Sequence, residues 1–143
     1  MHFATLDDLH RAAAERAGDL VLELLEPVDR DAPLAERIEQ VVRQRSVVAE
    51  QIGPLRRAAA RRAASSPSLA EAQANARAAS VAQLDRVLPE LRSLPAASRR
   101  RRRAALDAAL SGETWDLLRD GHGLSVEQAR RTVVESVTSL LEP

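Results

Sequence analysis

Three histidines, His2, His10 and His122, are the only imidazoles in the 143 residues. They are far apart, and none has the HxxxH spacing that turns two rings onto one helix face. A metal site needs several ligands converging on one point, so three surface histidines and no bound metal are expected. There is no cysteine, which excludes thiolate ligands, a cysteine nucleophile and disulfides. Ser, His and Asp all occur, but no Gly-x-Ser-x-Gly elbow presents a nucleophile. No glycine-rich loop follows a strand, so no phosphate cradle is expected. Carboxylates are spread along helix exteriors, as solvated faces and i,i+4 pairs require. With no convergent acid–base pair, the chain is expected to be neither an enzyme nor a cofactor carrier.

Arginine carries the remaining chemistry. Basic and acidic residues number 21 each, for a formal net charge of zero, and every basic residue is Arg. The densest run is Arg99–Arg103. It reads either as a phosphate-binding patch or as the charged first turns of a helix whose Ala/Leu face is buried. Five consecutive residues point around more than one helical turn. At least one of these arginines must therefore face the core side or pair with Asp or Glu. Cations near a helix N-terminus oppose the macrodipole, which also asks for carboxylate partners. One Phe, one Trp and no Tyr exclude an aromatic platform for single-stranded nucleic acid.

Four polar residues fall on apolar helix faces. Arg45 shares a stripe with Ile38, Val41, Val48 and Ile52, and Gln73, Arg77 and Ser80 interrupt the next apolar face. A few polar groups in an apolar lining is how small-molecule sites are built. A buried Arg favours an anionic ligand, because its planar fork grips carboxylate with two bonds. The alternative is that Arg45 and Arg77 snorkel to water or pair with Glu.

The elements that position these residues all have the helical period. Leu6, Leu9, Ala13, Ala17, Leu20 and Leu24 form one face between Thr5 and Glu26. Thr5 and Asp8 make a capping-box start, and Pro27 ends the segment. Asp31–Pro33 should open a second helix with Leu34, Ile38, Val41, Val42, Val48 and Ile52 inward, broken at Gly53-Pro54. A short helix is expected from Leu55 to about Ala64, then a Ser65–Ser68 loop. A third long helix spans Pro67 to about Leu94, kinked near Asp85 or ended early by Pro89. The arginine run leads a helix through Leu110, stopped at Ser111-Gly112. A short turn, Glu113–Arg119, carries Trp115. Gly121-His122-Gly123 is a flexible connector. Ser125 and Gln128 form a capping box for the last helix. That helix should bury Val126, Ala129, Val133, Val137 and Leu140, with Val134 and Leu141 to one side.

No alternating β-branched segment remains, so the expectation is an all-α bundle of about five long and two short helices. At 15.6 kDa one domain is expected, residues 1–143. No apolar run approaches the ~20 residues that span a bilayer, and no basic-then-apolar leader opens the chain. A cytoplasmic protein is the default. The arginine and alanine abundance suggests a GC-rich genome.

Two stretches together resemble TetR-family regulators. His2-Phe3 followed by Thr5-Leu6-Asp7-Asp8-Leu9 resembles the point where the DNA-recognition helix of that family gives way to the regulatory domain. Leu106–Ser111, Glu113-Thr114-Trp115-Asp116-Leu117-Leu118-Arg119 and Gly123–Ala129 resemble the family's final helices, in a pattern common among actinobacterial members. The resemblance implies a regulatory domain without its N-terminal helix-turn-helix, so DNA would be reached only through a missing domain. It further implies a small-molecule effector in a helix-lined pocket, with Arg45, Gln73, Arg77 and Ser80 as candidate contacts. It implies a homodimer built on the last two helices. Ala104, Ala105, Ala108 and Ala109 would allow close approach there, and Val133, Val137 and Leu140 would supply apolar area. A wide apolar arc on the last helix supports the same dimer, because one core cannot cover it. A stand-alone dimerising or ligand-sequestering module is the alternative.

Overall fold

Thr5 opens the first helix with the reciprocal cap that its spacing to Asp8 predicts. The Thr5 hydroxyl accepts from the Asp8 N–H at 3.1 Å, and the Asp8 carboxylate accepts from the Thr5 N–H at 2.9 Å. In the computed structural model, which describes residues 2–142, this helix, α1, runs Leu6–Leu24. It is followed by α2 (Leu34–Arg62), α3 (Pro67–Val87), α4 (Ala96–Ala109), α5 (Gly112–Asp116) and α6 (Val126–Leu141). Tight helical turns occupy Ala63–Ser65 and Pro89–Ser93, and a wider π-type turn occupies Leu117–Gly121. Among the described residues there is no strand, and the architecture is all-α.

The longest helix departs from expectation at Gly53-Pro54, through which α2 runs without a break. Proline normally expels the preceding residue from the helical region, because its Cδ collides with that residue's Cβ. Gly53 has no Cβ, so that part of the collision is absent, and the expected short helix from Leu55 becomes the second half of α2. The missing side chain also admits a neighbour. A Cβ at Gly53 would stand 3.2 Å from Arg57 Nη1 and 4.0 Å from Asp116 Oδ1. Proline acts as expected at Pro89: α3 stops at Val87, and Leu88 leaves the helical region at φ −119°, ψ 67°.

The early end of α3 strands its last carbonyls, and a buried arginine answers them. Arg37 of α2 is 6% exposed. Its Nη1 donates to the Val87 carbonyl at 2.5 Å and its Nε to the Ala32 carbonyl at 2.9 Å. The guanidinium also grips Glu90 with two bonds, one from Nη1 at 3.1 Å and one from Nη2. The bond to Arg37 holds the Glu90 carboxyl below its ordinary range. One side chain thus closes a helix end, places a cation where the dipole favours it, and fixes the turn that follows.

Helix α2 packs against α1, α3, α5 and α6, while α4 packs against α3 and α6. The core is aliphatic around one indole. Ile38, Val41 and Val42 meet Leu84, Val87, Leu88, Leu91, Leu106, Leu110, Trp115, Ala129, Val133 and Val137. The start of α6 follows the sequence reading: Ser125 and Gln128 cap reciprocally, and Gly123 before them takes φ 66°.

Helix α1 contributes no buried residue. The expected inward stripe is turned: Leu6, Leu9 and Ala13 are exposed, and the half-buried line is His10, Ala14, Ala17, Val21 and Leu24. Asp7 heads that line and explains the rotation. Its carboxylate accepts from the hydroxyls of Ser66 (2.5 Å) and Ser68 (2.6 Å), and from the Ser68 N–H (3.3 Å). An acid of α1 therefore caps the N-terminus of α3, where backbone N–H groups and the dipole favour an anion. Turning Asp7 there carries Leu6 and Leu9 outward.

Leu106 is fully buried whereas Leu22 is 70% exposed. Leu106→Ala is expected to cost about 2–5 kcal/mol and Leu22→Ala less than about 0.5 kcal/mol, read as shifts of the urea midpoint. Asp7 supplies a pH dependence. The Ser66 and Ser68 hydroxyls hold its carboxyl below the ordinary 3.8, so near that pH the unfolded chain binds more protons than the folded one. The contribution is complete above the ordinary value and is lost as pH falls through the lower, folded value. The midpoint difference between wild type and Asp7→Asn should stay constant down to about pH 5 and then close.

Candidate functional site

Arg45 is a half-buried arginine that bonds only neutral acceptors across two helices. It leaves α2 at a position level with Ser80 and Gln83 of α3, which are three residues apart and share one face. Nε donates to Gln83 Oε1 at 2.9 Å, Nη1 to Ser80 Oγ at 2.9 Å, and Nη2 to the Ser80 carbonyl at 3.1 Å. All three acceptors are neutral. Burial pushes the guanidinium down from its ordinary value, opposed by the field of Asp107. Asp107 itself is turned to Arg77, at 3.2 Å.

The amides extend this cluster to a third element. Gln83 Nε2 donates to Gln44 Oε1, and Gln44 Nε2 donates to the Glu26 carbonyl, just beyond α1, at 2.5 Å. The amide orientations follow from the ends of the chain. A guanidinium cannot accept and a carbonyl cannot donate, so each amide must face its oxygen toward Arg45.

Of the four expected contacts, the structure brings together Arg45 and Ser80. Arg77 stands at the margin, exposed and paired to Asp107. Gln73 lies outside the cluster. It continues the stripe of Arg77 and Ser80, but residues 73–79 are all exposed, and nothing covers those two turns. Gln44 and Gln83 are the members that the sequence reading missed. Gln83 was findable as the residue three after Ser80; Gln44 carried no signal beyond its place beside Arg45.

The residues expected at a subunit seam divide. Val133 and Val137 are 4% and 2% exposed, inside the core of a single copy, so they offer no area to a partner. The arc on α6 is wide because α2 covers one side of it and α4 the other. Ala105, Ala109 and Leu140 are half-buried. Ala105 and Leu140 line an open groove of about 320 Å³ between α4 and α6, with Ser98, Arg101, Arg102 and Ser139.

The arginine run is partly absorbed, as its length requires. Arg103 pairs with Asp85 at 2.9 Å and Arg102 donates to the Glu142 carbonyl at 3.0 Å, while Arg100 and Arg101 are exposed. A second cleft, of about 200 Å³, lies between α2 and α5. Most of its polar wall groups bond one another. Glu50 accepts from Trp115 Nε1 (2.9 Å) and Arg119 Nε (2.7 Å), and Arg57 pairs with Asp116 (2.8 Å). Neither opening reaches Arg45. Among the described residues no group of three or more His, Asp or Glu is placed to hold a metal ion, and no helix is long and apolar enough to cross a membrane.

No family model matches the chain, and no curated protein or solved structure matches it.

Arg45→Ala removes the donor to the Ser80 hydroxyl and to the Gln83 amide oxygen and is expected to cost about 1–3 kcal/mol. Arg77→Ala removes one exposed pair and should cost less than about 1 kcal/mol. Chemical denaturation of the two variants separates a half-buried cation from a rim charge; equal losses would contradict the assignment.

Proposed function

We propose that this chain is the regulatory domain of a TetR-like transcriptional regulator, which takes a small anionic effector between α2 and α3 and pairs with a second copy through the outer face of α4 and α6. DNA would be read by a separate helix-turn-helix. The observation that carries the reading is Arg45, a half-buried guanidinium set among neutral acceptors. Two of its five N–H donors are free of protein partners. Charge-assisted bonds to a carboxylate are about twice as strong as those to neutral oxygens, so an anion that reaches this cation outcompetes its present partners. The regulator part of the reading rests on the sequence resemblance noted above, the Trp115 segment included.

The dimer face is redrawn by burial. Val133 and Val137 drop out, which leaves Ala104 and Ala108 of α4, both exposed, beside Ala105 and Leu140. Small side chains let a second helix approach closely.

Sedimentation equilibrium is expected to give twice 15.6 kDa at micromolar concentration. Ala108→Glu should restore the single mass with an unchanged melting temperature. A lone 15.6 kDa species at high micromolar concentration would remove the dimer. Calorimetric titration with benzoate at constant ionic strength should show binding to the wild type and none to Arg45→Gln; equal heats from both would remove the anion site.

A further inference from the structure

The cation and the end of α1 are tied by one directional chain of hydrogen bonds. Arg45 donates to Gln83, Gln83 to Gln44, and Gln44 to the Glu26 carbonyl. Every link runs the same way, so each bond polarises the next and strengthens it. The chain starts at a positive charge and finishes on the segment that leaves α1. That helix has no buried residue. Its seat therefore depends on its polar ties more than on its packing: Asp7 at one end, Glu26 just past the other.

We infer that capture of a small carboxylate by Arg45 and anchoring of the carboxyl end of α1 are competing uses of this chain. A two-bond grip along the Nε edge of a guanidinium needs the Nε–H that Gln83 now holds. Once Gln83 yields it, its amide is no longer oriented, and the Gln44 amide loses the donor that fixes its own. The Glu26 carbonyl is then released to water. The reverse follows by linkage: a state that pulls Glu26 away from Gln44 frees Gln83 and raises anion affinity at Arg45 by the same factor. This inference rests on the anion reading of Arg45, but its central step, the mechanical tie from Gln83 to Glu26, exists without any ligand.

The test is amide hydrogen exchange on the full chain. Gln83→Ala should speed exchange in the last turn of α1 and the residues up to Val28 about tenfold, the factor that about one lost net hydrogen bond gives. The Asp29 N–H, held separately by Gln40 at 2.8 Å, and the α6 amides should be unchanged. Gln44→Ala cuts the next link and should reproduce the pattern, which keeps the test open if one variant is poorly folded. Benzoate should speed the same amides in the wild type and have no further effect in Gln83→Ala. Unchanged exchange at the end of α1 in the folded variants would overturn the tie, even if benzoate binds. If benzoate fails to bind while both variants loosen α1, the tie stands and the anion reading falls.

Discussion

A guanidinium drawn wholly or partly out of water seeks acceptors, and in this protein that demand organises the contacts of α2. Arg37 closes the end of α3, Arg45 joins its last turns, and Arg56 and Arg57 both reach Asp116 of α5. Toward α6 the direction reverses: Arg130 Nε donates to the buried Ser46 hydroxyl at 2.7 Å. A core with one Trp and otherwise aliphatic side chains tolerates sliding between helices. Apolar contact is not directional, whereas a forked donor with fixed angles is. Register between α2 and its neighbours is thus held by arginine geometry, and cohesion by Leu, Val and Ile.

The two halves of the bundle differ in which of these dominates. Leu84, Leu88, Leu91 and Leu106 are almost wholly buried, so the part built from α2, the end of α3, α4 and α6 has a dense centre. The part built from α1 and the first turns of α3 has none. There, alanine surfaces lie close together and single polar anchors decide orientation, as Asp7 does by capping a helix other than its own. Elements of low apolar burial open at lower free energy than the core, so α1 is the element whose position responds most readily to a change at a polar anchor.

The legible features were those set by neighbours in sequence. Thr5 with Asp8, Ser125 with Gln128, Pro89 and Gly123 act within four residues, and each does what its chemistry dictates. What escaped was set across helices. Asp7 reads as a first-turn acid of its own helix, and only the spatial nearness of Ser66 and Ser68 turns it into a cap for α3 and rotates Leu6 and Leu9 outward. Gly53-Pro54 reads as a break, and the missing Cβ, together with the docking of α5, keeps the helix whole. In the candidate site, the apolar stripe put Arg45 and Ser80 on facing helices, where the structure joins them by hydrogen bonds. It extended to Gln73 because periodicity has no knowledge of where a neighbouring helix ends. Val133 and Val137 were assigned to a partner because an arc's width in sequence does not say which elements of the same chain flank it.

Among the described residues the cross-helix ion pairs use arginine as their cation, and the chain has no Lys, Tyr or Cys. A guanidinium keeps its proton far into alkali, so no lysine, tyrosine or thiol stands ready to discharge as the solution turns basic. Tolerance to pH is therefore one-sided. The carboxylates can be neutralised from below, but nothing on the cationic side of these contacts gives way from above, and the bundle should pass through mild alkali with its register intact.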